Sequence, residues 1–416
     1  MLIEKRLSKI AEITNSRQFG KDLSFKNISI DSRSIKQGDL FVAIKGENFD
    51  GHDFIGQALE KGAVGIISEK SLSKKLNYLK TKNNFDFLKI LAQENRNMFR
   101  GQIVAITGSN GKTTTKEILY LLLSFLTDKR SVFKSPKNWN NELGLNLSLL
   151  GLNHKHKIGI FEIGTNRPGE IYSLSNFLKP DYGIITNIGR SHLENLKNLD
   201  GVAKEKSDLF INVKNKGVCL ARIDNKYKKL ILKKATGKEL KLLGNEKKDI
   251  FDLNFEAALL IVNEILNLEK NSNVELSEIK KRIQENLKIP GRMEKINGPK
   301  KTTILNDSYN ANPDSFLAAF EFISKLKYKH KILVMGKMGE LGEKSDQLHD
   351  QVIQKAIKHF DLIFCVDINS KIKSEKINYL SKSDTVINLS RFFDKQTLIL
   401  FKASRSVKME TLIDLI

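Results

Sequence analysis

Short, wholly apolar runs recur along the chain, and between them lie stretches whose apolar residues return every three or four positions. The first pattern predicts buried strands and the second amphipathic helices. In residues 1–84 the runs are Leu40-Phe41-Val42-Ala43-Ile44 and Ala63-Val64-Gly65-Ile66-Ile67-Ser68, with turn residues between. In residues 85–289 they are Ile103-Val104-Ala105-Ile106, Ile158-Gly159-Ile160-Phe161 and Tyr182-Gly183-Ile184-Ile185. Strand-like runs alternating with helical ones predict βαβ units around a mainly parallel sheet. Pro290-Gly291 punctuates the end of this block. Residues 290–416 repeat the pattern with Thr303-Ile304-Leu305, Ile332-Leu333-Val334-Met335 and Leu362-Ile363-Phe364-Cys365-Val366, which predicts a smaller doubly wound, Rossmann-like domain. The expectation is an α/β protein of three domains, at 1–84, 85–289 and 290–416, consistent with 416 residues.

Composition narrows the class. Hydrophobic residues make up 40% and prolines number only six, which excludes a largely disordered chain. No apolar run reaches the roughly 18 residues of a membrane span. Met1 to Thr14 is charged and amphipathic, unlike a signal peptide. Cys219 and Cys365 match no metal or redox spacing, so two buried thiols in a reducing cytoplasm are expected. The formal charge is +22, but the lysines are spread along the chain without interleaved aromatics. That reads as a solvated surface able to attract a polyanionic nucleotide, not as a nucleic-acid interface.

The densest chemical signal is Thr107-Gly108-Ser109-Asn110-Gly111-Lys112-Thr113-Thr114. It follows the run 103–106 and precedes a helical pattern with Ile118, Leu119, Leu122, Phe125 and Leu126 on one face. Strand, glycine loop and helix are what a phosphate-binding loop requires. Backbone N–H groups at the helix start cradle phosphate oxygens, Lys112 reaches the β- and γ-phosphates, and the Thr113 hydroxyl meets Mg²⁺. Ile106 stands where the longer form of this loop has another glycine, so this one is shortened.

Other polar groups cluster after strand-like runs. Glu162 ends the run 158–161, where a carboxylate points into a nucleotide cleft and can hold Mg²⁺. His192 follows the run that ends at Gly189. Either could equally be an ordinary loop residue. Lys137 to Gly144, which includes Asn141, is rich in amides that donate to phosphates, or that make a turn before a helix. Asn306 to Pro313 places Asp307 where a ribose would lie, yet it could simply cap the following helix. Lys204 and Lys206 read, on composition, as a solvated helix face.

Taken together these strings resemble the Mur ligase family over nearly the whole chain. TGSNGKTTTKE at 107–117 resembles its short phosphate loop; FEIGTNRPGEI at 161–171 and TNIGRSHLE at 186–194 resemble its metal-ligand segments. GVAKEKSDLF at 201–210 is similar to the segment carrying a carbamylated lysine, which falls on Lys206. ISIDSRSIKQGDLFVAIKGENFDGHDF at 28–54 resembles the UDP-binding N-terminal domain, and Pro290-Gly291-Arg292 the junction to the C-terminal domain. NDSYNANPDS at 306–315 and KASRSVKME at 402–410 are similar to its dipeptide-adding branch. One departure is Gly336-Lys337-Met338, where the family usually reads Gly-Asp-Met.

The resemblance implies an ATP- and Mg²⁺-dependent ligase that acts, as a cytoplasmic monomer, on UDP-N-acetylmuramoyl-tripeptide and D-alanyl-D-alanine through an acyl phosphate. It implies catalytic roles for Lys112, Glu162, His192 and Lys206. It implies metal contacts at Thr113, Glu162, His192 and a Lys206 carbamate. ATP is expected at Gly108, Ser109, Asn110, Gly111, Lys112, Thr113, Thr114, Asn141, Arg292, Asp307, Asn310 and Asn312, and the UDP-sugar at Ser32, Arg33, Asp50, Gly51 and His52. A sister ligase adding one amino acid, a folylpolyglutamate synthase and a basic P-loop ATPase acting on nucleic acid are the alternatives.

Overall fold

The computed structural model describes residues 1–244, 249–268 and 276–416. Its strands form three sheets in chain order. The first has five strands, in the order Arg17–Phe19, Tyr78–Lys80, Gly65–Ser68, Leu40–Val42 and Ile28–Ser29; only its first pair is antiparallel.

The second sheet has six parallel strands: Glu239–Leu243, Val218–Arg222, Tyr182–Ile185, Gln102–Thr107, Ile158–Glu162 and Val132–Lys134. The strand Gln102–Thr107 lies inside this sheet and is covered on both faces. Alternation sends Ile103 and Ala105 to one side, Val104 and Ile106 to the other. On the second side the helix Lys112–Leu126 buries Ile118, Leu119, Leu122 and Leu123 against Ala258, Ile261 and Val262 of the helix Ile250–Leu266. Phe125 was expected in that stripe but is 37% exposed. It sits in the last turn, with the Arg282 guanidinium 4.9 Å from its ring centroid.

On the other side the first sheet and the second share one core, in which Leu40 and Ile67 join Leu88, Leu91, Leu149 and Phe161. The helix Asn84–Met98 lies between the two sheets. Its buried Asn95 accepts from Leu2 N (2.6 Å) and donates to Leu149 O (2.7 Å), so both ends of this amide have a partner in the core.

The third sheet runs Glu294–Asn297, Thr303–Asp307, Thr397–Lys402, His330–Gly336, Leu362–Val366 and Ile377–Leu380, with only the first pair antiparallel. Helices cover both faces. Among the described residues no helix is long and apolar enough to cross a membrane. Cys219 and Cys365 are buried and free, and burial pushes both thiols up to about 12.

Candidate active site

The loop after the strand Gln102–Thr107 turns into the helix Lys112–Leu126 through two glycines at positive φ, Gly108 (+148°) and Gly111 (+83°). A Cβ on Gly108 would stand 1.8 Å from Thr186 Oγ1. The neighbouring strand's continuation, Thr186 to Gly189, holds the loop. Thr186 Oγ1 donates to Asn110 O (2.6 Å), Asn110 N to Asn187 Oδ1 (2.9 Å), and Gly189 N to Ser109 Oγ (2.9 Å). Gly108→Ala is therefore expected to abolish nucleotide binding and to cost about 1–3 kcal/mol of stability through backbone strain and the clash. Nucleotide titration calorimetry and thermal unfolding check this; wild-type affinity would contradict the loop's role.

Lys112 curls back to donate to Gly108 O (2.8 Å). Burial pushes its ammonium down; Glu162 pulls it up and Arg292 pushes it further down. Thr113 Oγ1 donates to Glu162 Oε2 (2.7 Å), and Asn140 Nδ2 to Glu162 Oε1 (2.9 Å). Glu162 is 1% exposed, and its own N–H meets Ser135 Oγ (3.2 Å). Lys116 is buried and donates to the carbonyls of Ser135 and Lys137, which anchors the segment presenting Asn140. Thr114 lies one position beyond Thr113 and is half-buried.

A cleft of about 590 Å³ opens in front of this loop and is roofed by the third sheet's domain. Ser109, Lys112, Asn141, Glu162 and His192 line one wall; Arg292, Asn310, Asn312 and Glu340 line the other. Asn141 also caps the helix Glu142–Leu150 through Gly144 N (2.9 Å), in addition to its place in the wall. Asn312 likewise closes a capping box on the helix Pro313–Ser324. Its amide also pairs with that of Asn110 across the cleft, at 2.8 and 3.3 Å.

Arg292 lies with its guanidinium carbon 4.4 Å from the centroid of the Tyr309 ring. Asp307 sits behind the cleft wall: Oδ1 accepts from Met293 N (3.1 Å) and Oδ2 pairs with the buried Lys402. Lys337 is exposed, and its carbonyl accepts from Ser404 N (3.0 Å), a contact any residue supplies.

Lys206 departs most from the composition-based reading. It is 1% exposed, whereas Lys204 on the same helix is exposed. Its ammonium is held well below the usual lysine range, first by burial and then by the charge of Lys112, against Glu205 and Glu340. Glu205 does not pair with it. That carboxylate accepts from Thr165 Oγ1 (3.1 Å), Gly169 N (2.6 Å) and Ile171 N (2.8 Å).

The five residues expected to hold a UDP-sugar are not part of this cleft. Ser32 is buried and donates to Gln57 Oε1 (2.5 Å); Arg33 is exposed and paired with Asp31 (2.9 Å). Asp50 accepts from His52 N (3.0 Å) and pairs with Lys70 (3.0 Å), and His52 Nε2 accepts from Glu69 N (3.2 Å). Gly51 packs so closely that a Cβ would lie 2.7 Å from Ile44 N. The His52 N–H bond, then Lys70, hold the Asp50 carboxyl well below the usual range. Stability from this carboxylate is thus present above its unfolded value of 3.8 and lost as pH falls below it. Asp50→Asn is expected to lower Tm at neutral pH, with the difference shrinking in acid; a pH-independent difference would contradict this.

Sequence reasoning covered Asn140 only as part of the amide-rich segment 137–144, without its contact to Glu162, and gave no role to Glu340 or Asp314. Glu340 follows a strand end, the signal that singled out Glu162. Asp314 joins the two domains. It takes Arg190 N (2.5 Å) on one oxygen, and Arg190 Nε (2.9 Å) and an Arg190 terminal nitrogen (2.6 Å) on the other.

A shortened phosphate loop facing a buried glutamate, under a second α/β domain that closes on it with an arginine, defines an ATP-using ligase, and the chain belongs to the Mur ligase family. Its residues 24–93 match the family's catalytic domain, 106–297 its middle domain, and 291–405 its glutamate ligase domain. Among relatives, the chain is 30% identical to the UDP-N-acetylmuramoyl-tripeptide–D-alanyl-D-alanine ligase of Buchnera aphidicola subsp. Acyrthosiphon pisum, covering 99% of this chain and 98% of the relative. The crystal structure of MurF from Acinetobacter baumannii matches with a TM-score of 0.83 at 25% identity, over 99% of this chain and 98% of that one. MurF from Thermotoga maritima in complex with ADP matches at 0.77 and 30% identity, over 94% and 96%.

Proposed function

We propose that this chain joins the amine of D-alanyl-D-alanine to the terminal carboxylate of UDP-N-acetylmuramoyl-tripeptide, converting ATP to ADP and phosphate, and so makes the cytoplasmic pentapeptide precursor of peptidoglycan. The carrying observation is the cleft in which the Lys112 loop, the Thr113–Glu162 pair and Arg292 converge. A carboxylate is a poor acyl donor, so the reaction must first turn one of its oxygens into a better leaving group by phosphorylating it. The tripeptide carboxylate attacks the γ-phosphorus and ADP departs; the dipeptide amine then adds to the acyl carbon. Collapse of the tetrahedral adduct expels phosphate, and the amine's proton passes to solvent.

Crowded negative charge is the main barrier to the first step. Lys112 meets it from the loop and Arg292 from the opposite wall. The loop's N–H groups at the helix start hold the phosphates in line. Among the described residues no group of three or more His, Cys, Asp or Glu is placed to hold a metal alone. Mg²⁺ does not ask for one: it takes one or two protein oxygens, with phosphates and water completing the shell. The Thr113 hydroxyl and the Glu162 carboxylate, already in contact, fit that donor set. Bound there, the ion supplies charge neutralisation at the transferring phosphoryl group.

His192 and a Lys206 carbamate serve a second such position in this reading. Gly108, Ser109, Asn110, Gly111 and Thr114 bind the phosphates, while Asn141, Asn310 and Asn312 bind ATP and the dipeptide. Asp307 retains lone pairs beyond those used by Met293 and Lys402, enough to accept from a ribose hydroxyl. Ser32, Arg33, Asp50, Gly51 and His52 frame the UDP site on the first domain. The test is one incubation with ATP, Mg²⁺, UDP-N-acetylmuramoyl-tripeptide and D-alanyl-D-alanine, read by mass spectrometry. The pentapeptide with stoichiometric phosphate is expected. Product only with a single amino acid, or phosphate release driven by nucleic acid instead, would overturn it.

A further inference from the structure

Of the described residues lining the cleft, Glu340 is the one carboxylate from the third domain. It follows the strand His330–Gly336 on a turn that the domain holds tightly. Met338 N donates to His349 Nε2 (2.8 Å), Gly339 N donates to Ser404 Oγ (2.6 Å), and Met338 and Leu341 are buried on either side. The turn therefore moves with its domain.

Across the boundary it meets His192. The imidazole Nδ1 lies 2.7 Å from Glu340 Oε2, within ion-pair range but off the line of a hydrogen bond, so in this structure the buried ring nitrogen is still without a hydrogen-bond partner among the described residues. Both residues have left-handed backbones, φ +54° at His192 and +60° at Glu340, although neither is glycine. Non-glycine residues adopt that conformation at a cost and keep it where surroundings impose it, often at functional sites. Here the surroundings are mutual. Glu194 N donates to Glu340 O (3.1 Å), and Leu193 and Leu196 of the short helix after His192 bury into one cluster with Met338 and Leu341. The imidazole can reach this carboxylate only while the two domains are docked.

We propose that Glu340 is a positioning residue for His192: on domain closure its carboxylate takes the Nδ1–H, fixes the ring's tautomer and aim, and so leaves Nε2 for the metal or phosphate side of the cleft. A histidine that ligates a metal commonly gives its other N–H to a carboxylate, and loss of that partner costs about 10- to 100-fold in metal affinity or activity. What is unusual here is that the carboxylate comes from another domain. The site's second histidine nitrogen is then correctly set only in the closed enzyme, which ties phosphoryl transfer to closure and away from bulk water. The inference rests on the ligase reading for what the cleft does, but the contact itself can be tested without turnover.

The experiment compares wild type, Glu340→Gln, Glu340→Ala, His192→Ala and the His192→Ala/Glu340→Ala double variant. Mn²⁺ affinity in the presence of ADP is read by electron paramagnetic resonance, ADP affinity by calorimetry, Tm by calorimetric scan, and kcat and KM separately. Glu340→Gln keeps the side chain's shape, so folding is preserved even if the alanine variant is weakened. Expected in Glu340→Ala is a loss of about 10- to 100-fold in Mn²⁺ affinity and in kcat, with ADP affinity and KM for the two peptide substrates within about twofold; Glu340→Gln, whose amide oxygen still accepts the Nδ1–H, keeps more of both. In the His192→Ala background, removing Glu340 adds nothing. Wild-type Mn²⁺ affinity in a folded Glu340→Ala overturns the proposal, as does an equal further loss when Glu340 is removed in the absence of His192. If wild type makes no pentapeptide while the Mn²⁺ pattern is as expected, the substrate reading fails and the positioning role stands.

Discussion

Lys112→Ala is expected to lower kcat by on the order of 10³-fold or more while the protein stays folded. The ammonium is desolvated inside the cleft, and its one hydrogen bond among the described residues is to Gly108 O, within its own loop. Removing it takes away no packing between sheets and leaves no buried carboxylate unpaired, because Glu162 keeps Thr113 and Asn140. What is lost is a cation placed where charge develops on the transferring phosphoryl group. Its worth is greatest in a site shielded from water. ATP binding weakens less than turnover, since the N–H groups of the loop remain. Phosphate release, nucleotide calorimetry and circular dichroism separate these effects. ATP-dependent phosphate release at the wild-type rate would remove the phosphate loop from the reaction altogether.

The loop was legible in the sequence because its requirements are local. Gly108 and Gly111 need backbone freedom, and Lys112 and Thr113 follow at fixed offsets, so the order of residues is the geometry. The central strands were legible for a related reason: a parallel strand buried on both faces reads as a continuous apolar run, as Ile103 to Ile106 does. What composition hid are groups whose meaning comes from distant partners. Lys206 and Lys204 are indistinguishable as letters, and only packing buries one and exposes the other. Arg190 and Asp314 stand 124 positions apart. No periodicity links them, nor His192 to Glu340. Resemblance to the family pointed to Lys206, where the residues read singly gave a solvated face. The same resemblance covered Asp314 within the string 306–315 without giving it a role, and did not reach Glu340; both take part in docking one domain on another.

The second large effect falls on Lys206. Lys206→Ala is expected to lose on the order of 10²-fold or more in kcat and to regain part of it when acetate or formate is supplied. Carbamate formation begins with the free amine. Carbamylation requires a neutral nitrogen: the lone pair attacks CO₂, an N–C bond forms, and a proton leaves. A surface lysine is almost wholly protonated at neutral pH, but burial and the charge of Lys112 both favour the neutral form of Lys206. The neighbouring Glu205 is committed to Thr165, Gly169 and Ile171 and supplies no salt bridge to stabilise the ammonium. Once formed, the carbamate is an anion facing the same charge of Lys112 that had disfavoured the cation, so that charge favours the product as well as the neutral amine. Truncation to alanine opens the space of the side chain, into which a small carboxylate can bring back the oxygens. Lys204→Ala, on the exposed face of the same helix, is the matched control and stays active. Rescue that rises and saturates with acetate in Lys206→Ala, and is absent in Lys204→Ala, marks a lost carboxylate function. Full activity of Lys206→Ala without added carboxylate would mean that this buried lysine serves packing alone, and that the cleft's second anion must come from elsewhere.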